Sequence, residues 1–433
     1  MNFDDWLNFL LLRDPNVFMV VVGTVLLGAS AALVGSFSFL RKQSLIGDAV
    51  AHSILPGVVL AFLISGSKNP FYLMIGALIS GWLSILLINL IRNRSKLKSD
   101  TSIGISLSFF FGIGILLLTY AQHHAGANMA GLDQYLFGKA ASMNSLDIKV
   151  FSLMSVVLFV VVILFKRAFI LISFDRDFAK SKGLGVHFYE LMLSTLTILA
   201  IALGIQAVGM ILMAALIITP AASARQWTNK MGSFILLTIL FGMIAGYVGS
   251  FISYSAPQMP TGPWIVMALS FITLISVVFA PEKGIISRRR KKKFNEQKML
   301  VENILKAFFH LNEKEVLLSS KIAVDQINTI MKTDTSRIVR GLGILRKKDL
   351  VIKVGDRWKL TRDGVAESRR IVRLHRLWEL YLTRKMMIDP ALVHSDAEAI
   401  EHVITPEIEF QLTKELGDPT IDPHLSEIPK VRI

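Results

Sequence analysis

Apolar residues in the first two-thirds of the chain fall in long runs separated by short polar segments, near 17–40, 45–64, 71–91, 102–120, 148–165, 190–205, 206–224, 233–254 and 263–280. A helix needs about 20 such residues to cross a bilayer, so the pattern predicts nine spans. The sixth and seventh form one continuous run, divided at "GIQAVG", Gly204 to Gly209. Past Pro281 the pattern changes. Leu300, Ile304, Leu305 and Phe308 recur at helical spacing, and "MKTDTSRIVRGLGILRKKDLV" reads as two short helices. "LVIKVGDRWKLT" alternates like two strands joined at Gly355-Asp356, and a longer helical run, Val365 to Met386, follows. Helix, helix and hairpin suggest a winged helix-turn-helix. The predicted fold is an all-α polytopic membrane protein of about nine transmembrane helices, with a C-terminal α+β winged-helix and helical domain. Its expected divisions are residues 1–283, a basic linker at 284–295, a winged helix at 296–364, and a helical region at 365–433.

Composition agrees with a membrane class: 53% of the 433 residues are hydrophobic and the mean hydropathy is +0.54. There is no cysteine. Disulfides, thiolate metal sites and cysteine nucleophiles are thereby excluded, and a metal must be held by His, Asp, Glu, Met or backbone oxygen. The net charge of +15 is informative in its distribution. With the N-terminus outside, the inside segments hold Arg41 and Lys42, then Arg92, Arg94, Lys96 and Lys98, then Lys166, Arg167, Arg176, Lys180 and Lys182, then Arg225 and Lys230. The outside segments hold Arg13, Lys68, Lys139 and Lys149. This positive-inside pattern puts the C-terminus in the cytoplasm, and an eight-span arrangement fits it less well. Asp4, Asp5 and Asp14 near the start do not form the basic region of a cleaved signal peptide, so the first apolar run is expected to stay in the membrane. "RRRKKK", Arg288 to Lys293, reads as a juxtamembrane anchor beside anionic lipid.

Against that apolar background, "GDAVAHSILPG" places Asp48 and His52 four residues apart. Residues i and i+4 share a helix face, so the two can offer a carboxylate oxygen and an imidazole nitrogen to one ion. Ionisable residues in a membrane are costly and usually mark an ion path. The bland alternative is that Asp48 caps a helix and His52 bonds a neighbour. Pro56 and Gly57 suggest a break in the same helix, of the kind tolerated where backbone lines a cavity. Gln206 and Thr219-Pro220 are weaker candidates for a pathway lining. Gly23, Gly28, Gly35, Gly242, Gly246 and Gly249 read as helix-packing positions. The chain has no G-x-x-x-x-G-K-[ST] phosphate loop, so ATP must be handled by a partner if transport is active. "FDRDFAKSKGLGVHFYE", Phe174 to Glu190, has the length and small residues for a short surface helix on which such a partner acts.

Five ordered stretches, "GDAVAHSILPGVVLAF", "YLFGKAASM", "FDRDFAKSKGLGV", "GIQAVGMILMAALIITPAASA" and "MPTGPWIVM", resemble the membrane permease of the zinc/manganese/iron ABC importers over about residues 15–283. The resemblance implies two permeases (two copies, or one with a paralogue), cytoplasmic ATPases and an extracytoplasmic metal-binding protein, in a bacterial inner membrane. It makes Asp48 and His52 the translocation-path ligands. Phe174, Asp175, Phe178, Ala179, Gly183 and Gly185 become parts of the segment that couples to the ATPase.

The tail resembles the diphtheria-toxin-repressor and manganese-repressor family through "RLHRLWELYL", "VHSDAEAIEHVIT" and "GDPTIDPHLSEIP". Glu398, Glu401 and His402 also stand at i, i+3 and i+4, on one helix face. The resemblance implies a cytoplasmic metal-sensing domain with a helical dimerisation and metal-binding region at 365–433; one metal site uses Met299, Glu398, Glu401 and His402, and a second uses His375, Glu379 and His394. Glu302, one turn past Met299, is an extra candidate. Glu398 matches the manganese-responsive members and Met299 the iron-responsive ones. Oxygen donors with imidazole suit Mn²⁺, Fe²⁺ or Zn²⁺, with Mn²⁺ favoured. The DNA-reading helix is expected to begin near Asp334 and to carry Ser336, Arg337 and Arg340. Gly341 and Gly343 inside it, and Thr335-Ser336 at its start, depart from the family pattern.

The expected function is therefore the permease subunit of an ABC importer for a divalent transition metal, not itself an enzyme, with a fused domain that gauges cytoplasmic metal. A membrane-tethered or releasable metal-dependent transcription regulator is the alternative. An intramembrane metalloenzyme lacks an H-E-x-x-H pair.

Overall fold

The structure is a computed structural model and describes residues 9, 11–67, 69–124, 138, 143, 145–255, 259–313, 320–389, 406–417, 419–424 and 426–429. It divides into two compact units, Met1–Arg288 and Arg289–Ile433.

The first unit is helical throughout its described elements: α1 (Pro15–Leu40), α2 (Ser44–Ser53), α3 (Leu55–Ser65), α4 (Pro70–Arg94), α5 (Ser99–His124), α6 (Ser145–Phe174), α7 (Arg176–Ser181), α8 (Val186–Val208), α9 (Met210–Trp227), α10 (Met231–Ser255) and α11 (Thr261–Phe279). Among the described residues, eight helices are long and apolar enough to cross a membrane, with α2 and α3 counted together as Ser44–Ser65. Nine were expected. The seventh run, 206–224, forms α9, which has 18 residues and ends in Arg225, Gln226 and Trp227; it is not among the eight. The boundary between α8 and α9 lies at Gly209, later than the expected division at 205/206. Gly209 has φ 89° and ψ 159°, a conformation open to glycine alone at little cost.

Large apolar side chains remain exposed along the outside of this unit, among them Ile79, Leu86 and Leu90 of α4 and Leu153, Ile163 and Leu164 of α6. Exposed apolar rows on that scale fit lipid as the surrounding solvent. The interior uses small residues for close approach, as expected. A Cβ on Gly28 would collide with the carbonyl of Gly242, and the reverse is also true, so α1 and α10 meet backbone to backbone. Buried hydroxyls pair across helices: Thr24 with Ser250 at 2.7 Å and Ser30 with Ser155 at 2.8 Å. Pairing satisfies these four hydroxyls within the apolar interior.

The second unit begins within α12 (Ile285–Asn312) and continues with α13 (Val324–Met331), α14 (Thr335–Lys347), β1 (Val351–Val354), β2 (Arg357–Leu360), α15 (Arg362–Lys385) and α16 (Pro406–Leu416). The two strands pair antiparallel, Val351 with Leu360 and Val354 with Arg357. Gly355 takes φ +62° in the turn between them. Ile322 bridges to Trp358 as a short third partner. Ile304, Phe308, Ile327, Ile338, Leu342, Leu345 and Trp358 share one core. Two short helices and a hairpin, the predicted winged helix, thus close over α12. Gly341 is buried in α14, where a Cβ would collide with Ile304. It permits that contact, which offsets its low helix propensity.

Candidate functional site

Helix α2 starts at Ser44 with Gln43 at its N-cap, so Asp48 lies inside the helix and does not cap it. His52 follows one turn later on the same face. Its Nε2 lies 3.6 Å from Asp48 Oδ1, beyond a good hydrogen bond. The His52 side chain is 19% exposed and that of Asp48 is 40% exposed. His52 Nδ1 is buried without a hydrogen-bond partner among the described residues. The ring of Phe111, from α5, stands edge-on to the imidazole at 5.1 Å. Among the described residues, no hydrogen bond therefore locks this imidazole.

The backbone near the pair is broken for an identifiable reason. Pro56 has no N–H to donate to the carbonyl of His52, its i−4 partner, and the chain passes from α2 to α3 at Ile54. Serines stabilise the break. The Ser80 hydroxyl of α4 donates to the Ser53 carbonyl at 2.6 Å. The Ser84 hydroxyl donates to Ser53 Oγ at 2.9 Å and lies 3.0 Å from Ser106 Oγ of α5. These buried serines gave no signal in sequence, because serine is common in membrane helices. Gln206, of α8, is buried, and its Oε1 also lacks a partner among the described residues.

The residues expected to couple to an ATPase gather around α7. Asp175 caps this six-residue helix by accepting from the Phe178 N–H at 2.8 Å. Ala179 is buried against Ile172 and Val186, whereas Phe174 and Phe178 are exposed. Gly183 (φ +77°) turns the chain, and Gly185 caps α8. Arg176 pairs with Glu190 at 2.9 Å, tying α7 to α8.

In the second unit, His375 and Glu379 are brought together on α15, Nε2 to Oε1 at 3.0 Å, and are 5% and 2% exposed. The residue of α12 that reaches His375 is Lys306, with Nζ 3.2 Å from Nδ1. Met299 lies about two turns earlier and is 41% exposed. Glu302 lies 3.7 Å from Lys298 and lines, with Glu367 and Arg370, a cavity whose lining includes neither His375 nor Glu379. Among the described residues, no three of His, Cys, Asp and Glu stand together as a metal cluster. His394, Glu398, Glu401 and His402 lie outside the described residues. Helix α14 begins where expected, capped by Asp334, which accepts from Ser336 N at 3.3 Å. Ser336, Arg337 and Arg340 are exposed on it.

The model of the family described as "ABC 3 transport family" matches residues 13–280, and that of "Iron dependent repressor, metal binding and dimerisation domain" matches residues 361–430. The manganese transport system membrane protein MntC of Bacillus subtilis is 37% identical over 391 residues, 90% of this chain and 89% of that one. The zinc transport system membrane protein TroC of Treponema pallidum is 41% identical over 284 residues, 65% of this chain and 95% of that one. Among solved structures, PsaBC from Streptococcus pneumoniae in complex with Fab aligns at 33% identity with a TM-score of 0.59, covering 66% of this chain and 99% of that one. With apolar helices around an unlocked acid–imidazole pair and a winged-helix tail, the chain belongs to the ABC 3 transport family and carries a fused iron-dependent-repressor domain.

Proposed function

We propose that the chain is the permease subunit of an ABC importer that moves a divalent transition metal inward, and that Asp48 and His52 hold the ion in transit. The carrying observation is the unlocked imidazole: Nε2 stands 3.6 Å from the carboxylate and Nδ1 has no partner among the described residues. An ion about 2.1 Å from both Nε2 and Oδ1 bridges that span at an open angle. Two donors bind weakly, which suits passage, because a closed four-ligand site would retain its cargo. The manganese and zinc relatives support a transition metal. Carboxylate oxygen with imidazole nitrogen suits Mn²⁺, Fe²⁺ and Zn²⁺, and Mn²⁺ is favoured.

The remaining parts follow from chemistry that this chain does not supply. A cytoplasmic ATPase docks at α7, where exposed Phe174 and Phe178 offer an apolar contact. An extracytoplasmic binding protein delivers the ion, and a second permease, a copy or a paralogue, completes the path. The N-terminus lies outside and the repressor-like unit in the cytoplasm, where it regulates transport with Glu398, Glu401 and His402 as candidate metal donors. Asp48→Ala and His52→Ala are each expected to lower ⁵⁴Mn²⁺ uptake by about tenfold or more in cells carrying the whole system, with normal protein in the membrane. Normal uptake by both variants rejects the path.

Exposed Arg337 and Arg340 on a capped helix favour a second reading, DNA binding by the tail. It predicts a salt-dependent, sequence-specific mobility shift with residues 296–433.

A further inference from the structure

His375 and Glu379, the described members of the expected second sensor site, already carry partners. His375 has two ring nitrogens, and both are engaged. Nδ1 faces the Lys306 ammonium at 3.2 Å, and Nε2 faces Glu379 Oε1 at 3.0 Å. An ammonium has only N–H groups to offer, so Nδ1 must accept, and the ring proton resides on Nε2 and is donated to the carboxylate. A neutral imidazole has one lone pair, and here it is committed. A metal needs that same lone pair.

Charge leads to the same conclusion. Lys306 is 8% exposed, His375 and Glu379 less, so the set is desolvated. A divalent ion placed beside this buried ammonium would repel it at short range, which is costly in a low-dielectric interior.

We propose that the Lys306 ammonium is the resident cation of the His375–Glu379 pair, joining α12 to α15 in the way a metal would, so that no transition metal is read at this position. The tail's response to cytoplasmic metal then runs through other residues. Lys306 lies on the helix that supports the winged-helix core, which makes the α12–α15 contact independent of metal supply.

The test uses the full-length protein in detergent with ¹⁵N-histidine labelling, where nine imidazoles contribute. The His375 signal is assigned by its absence in His375→Gln. The expected signal is that of a neutral ring protonated at Nε2, unchanged by Zn²⁺ in molar excess over the protein. A Zn²⁺-dependent shift of this signal, or a proton on Nδ1, overturns the proposal. Lys306→Met removes the ammonium and keeps an unbranched side chain. It is expected to bind one more Zn²⁺ per chain by equilibrium dialysis than the unsubstituted protein, and the gain is expected to vanish in Lys306→Met/His375→Gln. No gain in Lys306→Met, or loss of a bound Zn²⁺ in His375→Gln alone, also overturns it.

Discussion

Both units of the chain carry an imidazole and a carboxylate one helical turn apart, in opposite chemical states. In the membrane unit Asp48 precedes His52, the ring stands 3.6 Å from the carboxylate, and Nδ1 has no partner among the described residues. In the C-terminal unit His375 precedes Glu379, the two meet at 3.0 Å, and Nδ1 faces an ammonium. Spacing is the same, so spacing alone does not make a metal site. What differs is the third neighbour: the edge of Phe111 in one, Lys306 in the other. An aromatic edge leaves a lone pair available, and an ammonium consumes it.

The most severe way to break the contrast is to give the membrane pair the neighbour of the other. Phe111→Lys places an ammonium beside His52. It is expected to abolish ⁵⁴Mn²⁺ uptake to within background, whereas Phe111→Leu retains most of it. A lysine at the centre of a span costs about 2.5–3.5 kcal/mol on insertion scales, so membrane abundance must be measured alongside. If abundant Phe111→Lys protein transports normally, the lone-pair argument fails for the membrane site.

A smaller effect is expected at the helix break. Pro56→Ala restores an N–H opposite the His52 carbonyl and removes the steric cause of the break, which favours one continuous helix through α2 and α3. Stability is expected to rise while uptake falls by about threefold, as the pair is re-aimed. Unchanged uptake together with a raised melting temperature separates the break from the function of the pair.

Much of the molecule was legible because its signals are local. A bilayer-length run, the Gly355-Asp356 turn between alternating stretches and Asp334 ahead of a helical segment each report on neighbours within a few residues. The break in the long apolar run was placed early because "GIQAVG" offers two glycines, and only packing selects Gly209 over Gly204. The Asp48–His52 pair was legible for the same reason that the spans were: an acid and an imidazole in an apolar run stand out. Lys306 did not. In "ENILKAFFHLN" it reads as the solvated charge of an amphipathic helix, and its partner lies 69 residues away on α15.

The smallest effect expected is a pH response confined to the C-terminal unit. Burial holds the His310 imidazole below its ordinary value of 6.5, helped by the charges of Lys306 and Arg376 and opposed by Glu313, 3.4 Å from Nδ1. Burial alone would raise Glu313, but the hydrogen bond and charge of Arg376, 2.6 Å away, outweigh it and hold that carboxyl below 4.5. Both groups bind fewer protons folded than unfolded at pH values between their folded and unfolded pKa. Their stabilisation is therefore complete above about pH 6.5 and is lost as pH falls, first through His310 and then, below 4.5, through Glu313. Hydrogen exchange of α12 peptides in the full chain, corrected for intrinsic rate, is expected to quicken between about pH 7.5 and about pH 5.5. Peptides from α2 and α3 are expected not to follow. His310→Gln removes the first loss and keeps the second; if its α12 exchange still quickens in the upper window, the response belongs to another group.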